Sequence, residues 1–117
     1  MDNLEKKICA KFKEKLIIGH NYFMIPYDIY RDVLDFIYQD DDVSILGIEG
    51  FLAKDDRRLP QMDMILDLSN SKAKDWDDYR KECHQAMLHF FQKIDLKNKK
   101  DLYFEFVFQE KKFSNHS

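Results

Sequence analysis

Glycine, proline and cysteine are all scarce in this chain, which has three, two and two of them. So little glycine and proline predicts short connections between regular elements, because these two residues are the usual punctuation of loops. Cys9 and Cys83 lie in apolar helical patterns with no Cys-x-x-Cys or Cys/His spacing. That pattern argues against a disulfide framework or a metal site and for buried thiols. No apolar run approaches the ~20 residues that span a bilayer. Lys6, Lys7, Lys11, Lys13 and Lys15 interrupt the apolar residues of the N-terminal segment, unlike the continuous core of a signal peptide. The expectation is a cytoplasmic protein that does not contact the membrane.

Catalytic signatures are missing as well. There is no Gly-x-Gly-x-x-Gly, no phosphate-binding loop ending in Gly-Lys-Ser/Thr, no His-x-x-x-His pair and no Gly-x-Ser-x-Gly. Asp40, Asp41 and Asp42 lack the spacing and the glycine of a calcium loop. His84 and His89 are five residues apart on one helical pattern, so they point to different sides and do not share a metal. No enzyme activity, cofactor or metal is expected. A sequence pI of 5.8 and a largest charge cluster that is negative also argue against nucleic-acid binding.

What the chain does have is charge and aromatic rings. At 117 residues, with 44% hydrophobic and 35% charged positions, it is long enough for one packed domain. Ten Phe and six Tyr predict a core built from large side chains. Residues 2 to 18 space Leu4, Ile8, Phe12 and Leu16 four apart, a first helix with Asp2 and Glu5 placed as a capping box and Gly19 as its stop. His20 to Pro26 reads as a linker or a brief edge strand. A second helix follows from about Tyr27 or Asp28 to Gln39, with Ile29, Tyr30, Val33, Leu34 and Ile37 on its apolar side.

Val43 to Leu68 reads as a hairpin: a strand to Ala53, a charged reversal at Lys54 to Arg58, and a return strand. In the return strand Met62, Met64, Leu66 and Leu68 alternate with Asp63 and Asp67. Gly47 and Gly50 inside the first strand signal a bulge or a close approach, and Glu49 between them faces either water or a buried site. After the loop at Ser69 to Ser71, a third helix from about Asp75 to Ile94 places Trp76, Tyr79, Cys83, Met87, Phe90 and Ile94 on one stripe. A basic turn at Lys97 to Lys100 leads to a last strand, in which Leu102, Phe104, Phe106 and Phe108 alternate with polar positions. Lys111 to Ser117 reads as a frayed tail. The fold class is α+β: a single domain with an antiparallel sheet of three to four strands packed against about three helices.

The acids are unevenly placed. From Asp28 to Asp42 there are six of them against the single base Arg31. Asp40, Asp41 and Asp42 follow the end of the second helix, where the macrodipole is negative and further anions are unfavourable. Asp75, Asp77 and Asp78 lie where the third helix starts, where anions are welcome. Both segments carry rings, in Tyr38-Gln39-Asp40-Asp41-Asp42 and Asp75-Trp76-Asp77-Asp78-Tyr79. Acids interleaved with aromatic rings suit recognition of a cationic protein surface.

In size, acidity, layout and these two segments the chain resembles the small immunity proteins of bacterial toxin systems, contact-dependent growth inhibition among them. The resemblance implies a protein that binds the toxin domain of its cognate effector, often a nuclease, and covers its basic active-site or substrate surface. The expected contact residues are Asp32, Asp35, Tyr38, Asp40, Asp41 and Asp42, with Asp63, Asp67, Asp75, Asp77 and Asp78 as a second patch. The alternative is a non-catalytic regulatory or adaptor domain, homodimeric through an exposed edge such as Leu102 to Phe108.

Overall fold

The apolar side chains at every fourth position of the N-terminal segment do make a helix, but a shorter one than the spacing predicts. In a computed structural model, which describes residues 3–19, 22–54, 57–94 and 101–114, α1 covers Asn3–Phe12 and continues as one 3-10 turn over Lys13–Lys15. The chain then becomes extended as strand β1, Ile17–Gly19, because two adjacent β-branched residues favour a strand over another helical turn. β1 pairs antiparallel with β2, Tyr22–Pro26. Thus the stretch read as a linker or a brief edge strand supplies a strand, though one flanked on both sides, and among the described residues the sheet has five strands where three to four were expected. The capping position Asp2, the turn at residues 55 and 56, the basic turn from Lys97 to Lys100 and the tail beyond Ser114 lie outside the described residues.

A 3-10 turn over Tyr27–Ile29 leads into α2, Tyr30–Tyr38, whose predicted apolar side is buried throughout, with Val33 and Leu34 fully enclosed. Strands β3 (Val43–Lys54) and β4 (Arg57–Asp67) form the hairpin, α3 runs over Trp76–Ile94, and β5 over Leu102–Glu110. The strand order is β1-β2-β5-β3-β4, antiparallel at every junction. β5 pairs with β3 from Leu102 to Glu110 and with β2 at Tyr103 and Phe104. The segment Leu102 to Phe108, expected as an open edge, lies in an inner strand of the order, paired along its length with β3 but with β2 only at Tyr103 and Phe104; the outer strands are β1 and β4.

One sheet face carries Ile45, Ile48, Phe104 and Phe106 into a core shared with Leu4, Ile8 and Phe12 of α1, the apolar side of α2, and Met87, Phe91 and Ile94 of α3. Phe91 is its centre. Its ring stacks on Tyr30 at 4.3 Å and meets Phe104 edge-on at 4.8 Å. A second, smaller cluster of Trp76, Tyr79 and Cys83 packs on Leu68.

The return strand departs from strict alternation. Between Glu49 and Gly50 the β3–β4 register shifts: Gly50 faces Gln61, but Glu49 faces Ile65, so residues 62–64 form a three-residue bulge. Met64 folds inward over Gly50, where a Cβ would lie 2.7 Å from the Met64 Cβ. Met62, expected on the buried side, is turned out and 81% exposed. The N–H of Ala53 bonds to Asp101 on the β5 side, and alternation then turns Pro60, which faces Phe51, so that its missing N–H lies along the free edge of β4. A proline there denies a further strand one of its donors.

Candidate functional site

At the end of α2 three acids follow carbonyls that already carry the negative end of the helix dipole. The chain answers with a cation from elsewhere. Arg80 of α3 is only 7% exposed, and its guanidinium reaches back over this junction. Nε donates to the Val43 carbonyl at 3.0 Å, Nη2 to the Tyr38 carbonyl, and Nη1 to Asp41 Oδ1 at 3.4 Å. The group also sits 4.6 Å from the Tyr38 ring centre, whose other neighbour is His84, stacked at 4.1 Å. β3 begins at Val43, but β4 ends opposite Gly47, so the first residues of β3 have a bare edge that Arg80 helps to close. A planar fork with several donors suits two carbonyls and a carboxylate better than lysine would.

Arg80 was not among the expected site residues. The signal for it was available: Trp76, Arg80, Cys83 and Met87 share the inward stripe of the helix. A cation on that stripe, in a chain with an acid run at another helix's C-terminus, calls for a partner.

The two acidic-aromatic segments meet. The indole N–H of Trp76 donates to the Asp41 carbonyl at 2.6 Å, so the first turn of α3 is bonded to the Asp40–Asp42 turn. Each segment is also fixed internally. Asp40 Oδ1 accepts the Asp42 N–H at 3.0 Å, and Asp75 Oδ1 accepts the Asp78 N–H at 2.8 Å, the geometry of an N-cap. The side chains that remain in water are Asp41, 91% exposed despite its bond to Arg80, with Asp42, Asp75, Asp77 and Asp78. Asp32 and Asp35 lie exposed along α2, and Asp35 is near enough to His84 to act on its charge. Lysines bound this surface on one side, where Lys7, Lys111 and Lys112 share a hollow of about 600 Å³ with Asp40 and Asp42.

Asp63 and Asp67 are placed differently. Asp63 is exposed in the β4 bulge. Asp67 stands on the sheet face away from the helices, opposite Gly47. The hydroxyl and N–H of Ser69 bond to Asp67 and hold its carboxyl below the usual range. Of the rings in the two segments, Trp76 (3% exposed) and Tyr79 (1%) belong to the core, as their place on the apolar stripe of the helix predicts, and Tyr38, the ring among the expected contact residues, reaches the surface. Burial pushes the Tyr79 hydroxyl and the Cys83 thiol up, so both are neutral core groups. Cys9, half-buried, is also raised by burial.

Glu49, the other carboxylate singled out from sequence, is exposed on the open side of the sheet. Among the described residues no group of three or more His, Cys, Asp or Glu side chains is arranged to hold a metal ion. Among them, too, no helix is long and apolar enough to cross a membrane. Comparison with models of protein families, with curated proteins and with solved structures finds no match to this chain.

Proposed function

We propose that this chain is an immunity protein: a non-catalytic cytoplasmic inhibitor that binds a cognate bacterial toxin domain, a nuclease by preference, and covers its basic surface. One observation carries the reading. The Trp76–Asp41 bond and the Arg80 clamp join two acidic segments, 33 or more residues apart in sequence, into one negative surface on a rigid support. A nuclease has to present cationic side chains to a polyanion, and preplaced carboxylates compete for the same ground while steering the encounter. No cofactor enters this action.

The test is protection. The expected genomic setting is an effector gene directly upstream, and co-expression of its C-terminal domain with this chain should restore growth. Replacing Asp40, Asp41 and Asp42 together by Asn should reduce protection while leaving the fold intact. A toxin domain that kills equally well with and without this chain refutes the proposal.

A further inference from the structure

The sheet face away from the helices is a grid whose rows follow from the register. Along β3, Phe51 lies between Pro60 and Tyr103, Glu49 between Ile65 and Glu105, and Gly47 between Asp67 and Val107. The first row is closed. Phe51 is buried, and the Arg58 guanidinium packs 4.4 Å from its ring centre and 4.7 Å from that of Tyr22. The other two rows are uncovered. Ile65 is 44% and Val107 51% exposed, and a hollow of about 220 Å³ lies over Gly47, where no side chain stands between them.

The middle row is also electrostatically unsatisfied. Glu49 and Glu105 are direct cross-strand partners on the same face, an arrangement that destabilises a sheet. Arg58 Nη1 reaches Glu105 Oε2 at 3.0 Å and relieves that side only. Glu49 is exposed and has no side-chain partner among the described residues. Local stability would be better served by threonine or lysine at this position. Exposed apolar side chains beside an uncompensated carboxylate match an external group with one apolar side chain and one cation.

We propose that the rows Ile65–Glu49–Glu105 and Asp67–Gly47–Val107 are the anchoring surface for a partner polypeptide. The partner lays an apolar side chain on Ile65 and Val107 and sets a lysine or arginine against Glu49. This rests on the immunity reading: the partner is the toxin domain, steered by the acidic junction and held by the sheet face. The junction needs such a complement, because its own Trp76 and Tyr79 are buried and affinity concentrates in desolvated anchors. Gly47 is five residues along β3 from Asp42, roughly 16 Å at the rise of a strand. That separation is from the Asp40–Asp42 turn; Asp75–Asp78 start α3 on the opposite side of the sheet, so the partner reaches the uncovered face around the Asp42 end of β3.

Two measurements test it separately from the immunity reading. The first titrates the isotope-labelled full chain with the cationic, apolar pentapeptide acetyl-Arg-Leu-Arg-Leu-Arg-amide and follows backbone amide shifts. The shifts should centre on Gly47, Glu49, Ile65 and Val107, and Glu49→Gln should weaken binding about fivefold while leaving the melting temperature equal or higher. Shifts confined to Asp40–Asp42 and Asp75–Asp78, or no shifts at all, overturn the proposal. The second uses the toxin domain. Ile65→Thr with Val107→Thr should weaken binding at least ~10-fold with the fold retained, as loss of an anchor does, and undiminished binding overturns the anchoring role. A toxin domain that the unaltered chain does not bind removes the immunity reading, whereas the peptide map judges the surface independently. A stable dimer in sedimentation, dissolved by the same two substitutions, would give the face to a second copy and overturn the proposal.

Discussion

Removing Arg80 should cost more than its single ion pair suggests, because most of its bonds are to backbone. In Arg80→Met, the Tyr38 and Val43 carbonyls lose a charged donor in a site that is nearly closed to water. Each such bond contributes about 1.5–3 kcal/mol, and the contact with the Tyr38 ring adds about 0.5–1 kcal/mol. The cost of burying the guanidinium is refunded when it is removed, which offsets part of the sum. The bond to Asp41 contributes little, at most ~0.5 kcal/mol, because that carboxylate is 91% exposed. The net loss should be about 2–4 kcal/mol, or roughly 8–15 °C in melting temperature for a chain of this size. Urea denaturation followed by tryptophan fluorescence measures it directly. Arg80→Lys should lose about half as much, since a point charge replaces one or two of the fork's bonds, and Asp41→Asn should stay within ~0.5 kcal/mol of the unaltered chain. If Arg80→Met is neutral, or if Asp41→Asn is as damaging, the clamp does not act through the carbonyls.

Other perturbations test neighbouring parts of the account. Trp76→Phe keeps the packing but removes the bond to Asp41, and should cost about 1 kcal/mol in the same denaturation assay; a neutral result would separate the two acidic segments. Gly50→Ala brings a Cβ against Met64 and Phe104, so it should cost about 1–3 kcal/mol. Adding Met64→Gly, which removes the Cβ that the new methyl meets, should make the pair clearly less than additive, and strict additivity would contradict the packing. Burial lowers the His84 pKa from 6.5, the nearby Arg80 lowers it further, and Asp35 opposes them. The unfolded chain therefore binds more protons near that pH. The stability owed to neutral His84 is present above 6.5 and is lost as pH falls through the lower folded value. His84→Gln should flatten the urea midpoint between about pH 7 and pH 5, and parallel profiles would refute the assignment.

How far the sequence could be read depended on how local each determinant was. α2 and α3 were legible because their apolar positions repeat with the helical period over two turns or more, and every expected buried residue of α2 is buried. The end of α1 was not, because its stripe runs on through Leu16 while the choice of strand at Ile17 depends on pairing with β2, a tertiary event. In the return strand the period-2 pattern holds from Met64 to Asp67 and fails at Met62. The glycine at position 50 signalled an irregularity but not that three residues would be inserted in the opposite strand. For the candidate site, Asp40–Asp42 and Asp75–Asp78 were identifiable as charge runs, but their meeting depends on a side-chain to backbone bond that no spacing encodes. The Glu49–Glu105 opposition is likewise a matter of register, and register is set by the whole sheet.

The central claim is that the assembled acidic surface recognises a cationic toxin domain, and its most direct test is the association rate of that domain at low and at high salt. The unaltered chain should associate rapidly at low ionic strength and slow steeply as salt rises. With Asp40, Asp41 and Asp42 replaced by Asn, the low-salt rate should fall roughly tenfold and most of the salt dependence should disappear. Equal rates for the two proteins at every salt concentration would contradict the account.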